Sequence, residues 1–83
     1  MEARIVLIGI IVNDRSEIGK LNELLSGYQE YIIGRMGLPH HIHGEKELSI
    51  ISIAMEAPAD KISALSGKIG MLSGISSKVV YAD

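Results

Sequence analysis

Two segments of this chain, "RIVLIGIIV" (Arg4–Val12) and "ELSIISIAME" (Glu47–Glu56), are apolar at most positions and rich in β-branched residues. Successive side chains of a strand point to opposite sides of its sheet, so a strand with one wet face alternates apolar and polar residues. These two do not alternate in that way. Val6, Ile8, Ile10 and Val12 fall on one side of the first, and Ile5, Leu7, Gly9 and Ile11 on the other. The second carries Leu48, Ile50 and Ala54 on one side and Ile51, Ile53 and Met55 on the other. Strands of this kind sit at the centre of a sheet, and a fold for this chain has to cover both faces.

The covers within reach are two helices. After the first run, "NDRSE" offers Asp14 with Glu17 three residues on, the pattern of a capping box. Ile18, Leu21, Leu24, Leu25 and Tyr28 then recur at helical spacing, and Gly27 ends the segment. "YIIGRMG" returns to extended structure ahead of the second apolar run. Pro58 suits the start of a second helix with Ile62, Leu65, Ile69 and Leu72 as its stripe; Gly74 is expected to close it, and "ISSKVVYA" (Ile75–Ala82) reads as a last strand. The order βαββαβ is that of a ferredoxin-like α+β fold, a four-stranded antiparallel sheet with two helices on one face. With 83 residues, the chain is expected to be a single domain, 1–83. Two helices leave the second sheet face bare, and large bare apolar faces mark interfaces. A homodimer or higher homo-oligomer is therefore expected.

Several functions are disfavoured by what the chain lacks. There is no cysteine, hence no disulfide, thiolate ligand or cysteine nucleophile. A net charge of −2 argues against direct DNA binding by this chain alone. No apolar run reaches the length of a membrane span, and the N-terminus lacks the marks of a signal peptide, so the expectation is a cytoplasmic protein without membrane contact. The acidic residues are scattered at helix starts and strand ends, and no nucleophile–base order is visible, so no catalytic residues are expected.

Three stretches invite a functional reading. All three histidines lie in "PHHIH". In a strand running through Pro39, allowed at a sheet edge, His41 and His43 share a face and suit a borderline metal such as Ni²⁺ or Zn²⁺, with Glu45 or Glu47 of a subunit as a further ligand. The competing reading is a solvated hairpin end, and a regular strand turns His40 to the other face. "GRMG" places Arg35 to meet an anionic ligand, or else its glycines permit a bulge with Arg35 in solvent. "SGKIG" puts Gly67 and Gly70 on one helix face, a choice that a close neighbouring helix or subunit would repay.

"GRMGLP", "LSIISI" and "ISALSGKIGMLSGISSKVVYA" together resemble the small regulators of the iron-only hydrogenase system, over essentially the whole chain. The resemblance implies an ACT-like fold shared with the ligand-sensing C-terminal domain of nickel-responsive repressors, and a role in transcriptional or assembly regulation. Those repressors use an H-x-H followed six residues later by a cysteine. Here His41 and His43 match the pair, and Ser49 stands in the cysteine's place. "NDRSEIGKLNELL" is similar to the opening of ACT domains, which implies ligand contacts from Asn13, Asp14, Arg15 and Ser16. Ser16 and Glu17 replace the Pro-Gly of that pattern, and a glutamate there obstructs an amino-acid carboxylate by bulk and by charge. The expectation is a non-enzymatic, ligand-sensing oligomer that answers a small-molecule effector and works through a protein partner of the hydrogenase system. A metal-sensing module built on His41 and His43 across a subunit interface, and a structural assembly factor with no ligand, remain open beside it.

Overall fold

The computed structural model describes residues 2–82, apart from the side chains of Pro39 and His40. The chain runs β1 (Ala3–Val12), α1 (Ile18–Ser26), β2 (Ile32–His43), β3 (Lys46–Pro58), α2 (Ala59–Gly70) and β4 (Ile75–Tyr81), with single 3₁₀ turns at Arg15–Glu17 and Gln29–Tyr31. All pairings are antiparallel, and the strand order is β2-β3-β1-β4. The two most apolar strands are thus the central ones.

Both helices lie on one face of this sheet. Val6, Ile8, Ile10 and Val12 of β1 and Ile51, Ile53, Met55 and Ala57 of β3 pack with Leu21 and Leu25 of α1 and Ile62, Leu65 and Ile69 of α2 in one buried cluster. The opposite face has no second layer among the described residues. Ile5, Leu7 and Ile11 remain 42–49% exposed there, and Ile50, Leu38, Met36 and Val80 are exposed beside them. Register aligns Leu7 with Ala54 and Val80, and Ile11 with Ile50, and between these two apolar rows lie Gly9, Ser52 and Lys78.

Two local expectations are corrected. Glu17 does not complete a capping box. Asp14 accepts from the Ser16 amide (3.0 Å) and hydroxyl (2.6 Å), while Glu17 lies 3.5 Å from Lys20, because a 3₁₀ turn precedes α1 and tightens the cap onto the nearer amide. Gly74 does not end α2, which stops at Gly70. Gly74 instead turns the chain into β4 at φ 67°, where its carbonyl accepts from the amides of Asn13 (2.7 Å) and Asp14 (3.2 Å). A Cβ on Gly74 would lie 2.5 Å from that of Asp14, so only glycine lets the two turns meet.

β2 and β3 outrun the rest of the sheet. β1 ends where Val12 faces Ser49, and beyond that level β2 and β3 pair only with each other. They close through a two-residue turn with Gly44 at φ 65°, the glycine placement such hairpins favour. The resulting arm stretches the molecule to 45 Å against 21 and 17 Å in the other directions.

Candidate functional site

At the base of the arm, on the helix side of the sheet, an open cleft of about 500 Å³ is lined by Arg15, Ile18, Asn22, Arg35, Gly37, Ser49 and Ile51. Arg15 arrives from the 3₁₀ turn after β1, Ile18 and Asn22 from α1, and the others from β2 and β3. Arg35 reaches this side because β2 is irregular. Ile32 faces Met55 and Gly34 faces Ala54, which leaves Ile33 as an extra residue. A bulge shifts the alternation by one position, so Arg35, opposite buried Ile53, falls under α1. A Cβ on Gly37 would come within 3.3 Å of the Ile50 carbonyl, so glycine eases the fit of β2 against β3 at the cleft.

Two guanidinium groups border the cleft. Arg35 Nη2 donates to the Asn22 amide oxygen, a neutral partner, at 2.8 Å. Arg15 Nη1 pairs with the Glu47 carboxylate on β3, both side chains being more than two-fifths exposed. Ser49 is fully buried in the cleft wall. In the neighbouring turn, the Ser16 hydroxyl and then its amide hold the Asp14 carboxyl below the ordinary carboxylate value.

The residues singled out from the sequence thus divide into three. Arg15 and Arg35 line one cleft. Asn13, Asp14 and Ser16 build the turn that carries Arg15, through the bonds to Gly74 and between Asp14 and Ser16. His41 and His43 are elsewhere. A second register shift, between Leu38 and His41, pairs His41 with Leu48 and His43 with Lys46 and sets both imidazoles on the open face of the arm, exposed. Ser49 faces Val12 and Glu47 faces Ile42, on the other side of the sheet, so neither joins the histidines within one chain. The side chain of His40 lies outside the described residues. Among the described residues no three His, Asp or Glu side chains converge as a metal site. A Cβ on Gly67 or Gly70 would meet nothing within 4 Å, so no described element packs against either Cβ position.

Sequence reading missed Asn22, Ile18 and Gly37 as parts of the cleft. Asn22 is a polar residue on a helix surface, and only the bulge brings Arg35 to it. The one available signal was Gly34 and Gly37 flanking Arg35 in an edge strand.

No helix among the described residues is long and apolar enough to cross a membrane. No curated protein matches the sequence. Among solved structures, the uncharacterized protein TM1266 from Thermotoga maritima superposes with a TM-score of 0.86 at 32% identity, over 99% of this chain and 100% of that one. LarC2, the C-terminal domain of a cyclometallase involved in the synthesis of the NPN cofactor of lactate racemase, is similar in fold alone: TM-score 0.53 and 14% identity over 98% of this chain and 58% of that one. The model of the TM1266-like family, described as "Iron-only hydrogenase system regulator, putative", matches residues 4–79. On these two matches, family model and full-length structural relative, the chain belongs to the TM1266-like family.

Proposed function

We propose that this protein is a non-enzymatic regulatory module of the iron-only hydrogenase system that works as a homo-oligomer, senses a small molecule and acts through a protein partner. The family description supplies the system. The observation that carries the rest is the apolar content of the open sheet face, where Ile5, Leu7, Ile11, Ile50, Leu38 and Val80 stay exposed. The sheet order and the placement of both helices on one face support an ACT-type, ferredoxin-like reading, in which regulation works by changing how protomers pack.

A sheet face four strands wide and ten residues long covers roughly 600 Å². Two such faces together bury about 1,200 Å², the lower bound for a specific stable interface. A hollow of about 340 Å³ beside Gly9, Ile11, Ile50 and Lys78 gives that surface relief for an interlocking side chain. The arm supports the same reading, because a two-stranded hairpin with exposed Ile42 is marginal in water by itself. A ligand with equal affinity for both packings would change nothing, so the sensed molecule must bind a part of the chain that moves with assembly. With a net charge of −2, contact with DNA is assigned to a partner.

The experiment is the oligomer mass by light scattering for wild type and for Leu7→Lys/Ile11→Lys, with native mass spectrometry for a co-purifying small molecule. A multiple of the protomer mass that falls to one protomer in the variant supports the proposal. A wild-type monomer at about 100 μM, well above the range of specific assemblies, defeats it.

A metal-sensing module is the second reading, and the shared exposed face of His41 and His43 is what favours it. Two imidazoles are half of a closed tetrahedral site, so the remainder would come from a second protomer. Calorimetry with Ni²⁺ and Zn²⁺ on untagged protein separates the readings. Submicromolar binding abolished by His41→Ala/His43→Ala favours the metal, and weak binding that survives those substitutions removes it.

A further inference from the structure

We infer that the Arg15–Arg35 cleft binds a small organic dianion, a phosphate or short dicarboxylate, and that this ligand competes with Glu47 for Arg15. The inference rests on the regulatory reading above and names the chemistry of its effector.

Two guanidinium groups from different elements border one cleft, and planar guanidinium forks match carboxylate and phosphate oxygens in a way that ammonium groups do not. Among the described residues, the hydrogen-bond partner of Arg35 is a neutral amide, that of Asn22. Arg15 already holds a carboxylate, that of Glu47, so its guanidinium is positioned to take an acidic group. That ion pair is solvent-exposed, and exposed pairs are weak enough for a better-placed anion to replace them. Ile18 and Ile51 give the cleft an apolar wall against which a short carbon chain can lie. A volume of about 500 Å³ falls within the range of small-molecule sites.

Displacement has a structural consequence. Glu47 lies on β3 at the base of the arm, opposite Ile42, and its bond to Arg15 ties the arm to the turn between β1 and α1. A ligand that takes over Arg15 breaks that bond. The arm carries His41 and His43 on the open face, so occupancy of the cleft is read out where a second protomer would dock.

The test is a titration followed by amide shifts and by calorimetry, with inorganic phosphate in one arm and succinate in the other. For at least one probe, saturable shifts are expected at Arg15, Gly37 and Ser49. Arg35→Gln and Arg15→Gln should each weaken binding roughly tenfold or more, as loss of a charged hydrogen-bonding group does. Glu47→Gln should strengthen it several-fold by removing the internal competitor. Lys61→Gln, on α2 and outside the cleft, should leave it unchanged. Which probe saturates tells phosphate from dicarboxylate.

The inference is overturned if neither probe saturates by about 10 mM, an affinity too weak for recognition. It is equally overturned if the shifts centre on the groove lined by Lys20, Lys61 and Lys68, or if Glu47→Gln fails to strengthen binding. Light scattering on the same samples keeps the two proposals apart. Binding at the cleft to a protein that stays monomeric removes the oligomeric reading and leaves the site standing.

Discussion

The two faces of β1 are made of the same kinds of residue and meet opposite fates. Ile8 and Ile10 are completely buried, while Ile11, the next residue, is 42% exposed. Nothing in the side chains distinguishes them. The difference comes from α1 and α2, whose apolar stripes both fall on the even-numbered side of β1 and leave the odd-numbered side bare. Hydrophobicity therefore states a demand for cover, and the count and placement of the helices decide which half of that demand is met inside the chain. The unmet half is the part of the molecule with information about partners.

The sharpest way to break this comparison is to make one substitution on each face. Ile10→Lys puts an unpaired ammonium into a dry core, at a cost that consumes the whole 5–15 kcal/mol stability of a typical domain, so circular dichroism should show no cooperative unfolding. Ile11→Lys should retain the native spectrum and alter only the oligomer mass. If both variants fold equally well, the faces are not different in kind.

Truncation gives the same contrast with smaller effects. Ile53→Ala, at a fully buried position, should lower unfolding stability by about 2–5 kcal/mol in urea titrations. Ile50→Ala, on the open face, should cost less than about 1 kcal/mol at protein concentrations low enough to dissociate any oligomer. A larger loss at Ile50 that appears only at high concentration would measure the cover supplied by another protomer.

The covered face also depends on how the helices are tied to the sheet. Gly74→Ala should cost about 2 kcal/mol or more, because a left-handed residue and a clash with Asp14 coincide. Gly44→Ala, at a similar φ in the arm but with nothing within 4 Å, should cost about 1–2 kcal/mol from the backbone alone. The smallest effect concerns pH. Asp14 is more acidic folded than unfolded, so its contribution to stability is present above the unfolded carboxyl's pKa and is lost as pH falls through the lowered folded value. Urea midpoints followed from neutral pH into acid should lose that slope in Asp14→Asn.

Much of the architecture was legible in the residues. The two central strands, both helical stripes, the Pro58 start of α2 and the apolar character of the second face follow from periodicity over segments long enough to leave little ambiguity. Capping details were less legible, since Asp14 and Glu17 fit a capping box as well as they fit the observed 3₁₀ turn, and Gly74 fits a helix end as well as the turn into β4. The cleft was legible only as separate residues. Arg15 and Arg35 stood out for their charge, yet Asn22, Ile18 and Gly37 carry no chemical signature that would join them to either.

The obstacle was the pair of irregularities in β2. One extra residue in a strand moves every later side chain to the opposite face, and neither shift is written in the hydrophobic pattern of an edge strand as polar as this one. The sequence by itself determined where strands and helices form and how much apolar surface they must hide, because local periodicity and burial energy act on neighbouring residues. Only the tertiary structure decided that Arg35 lies under α1 and the histidine pair on the open face. Those placements depend on strand register, which is fixed by pairing between residues far apart in the chain.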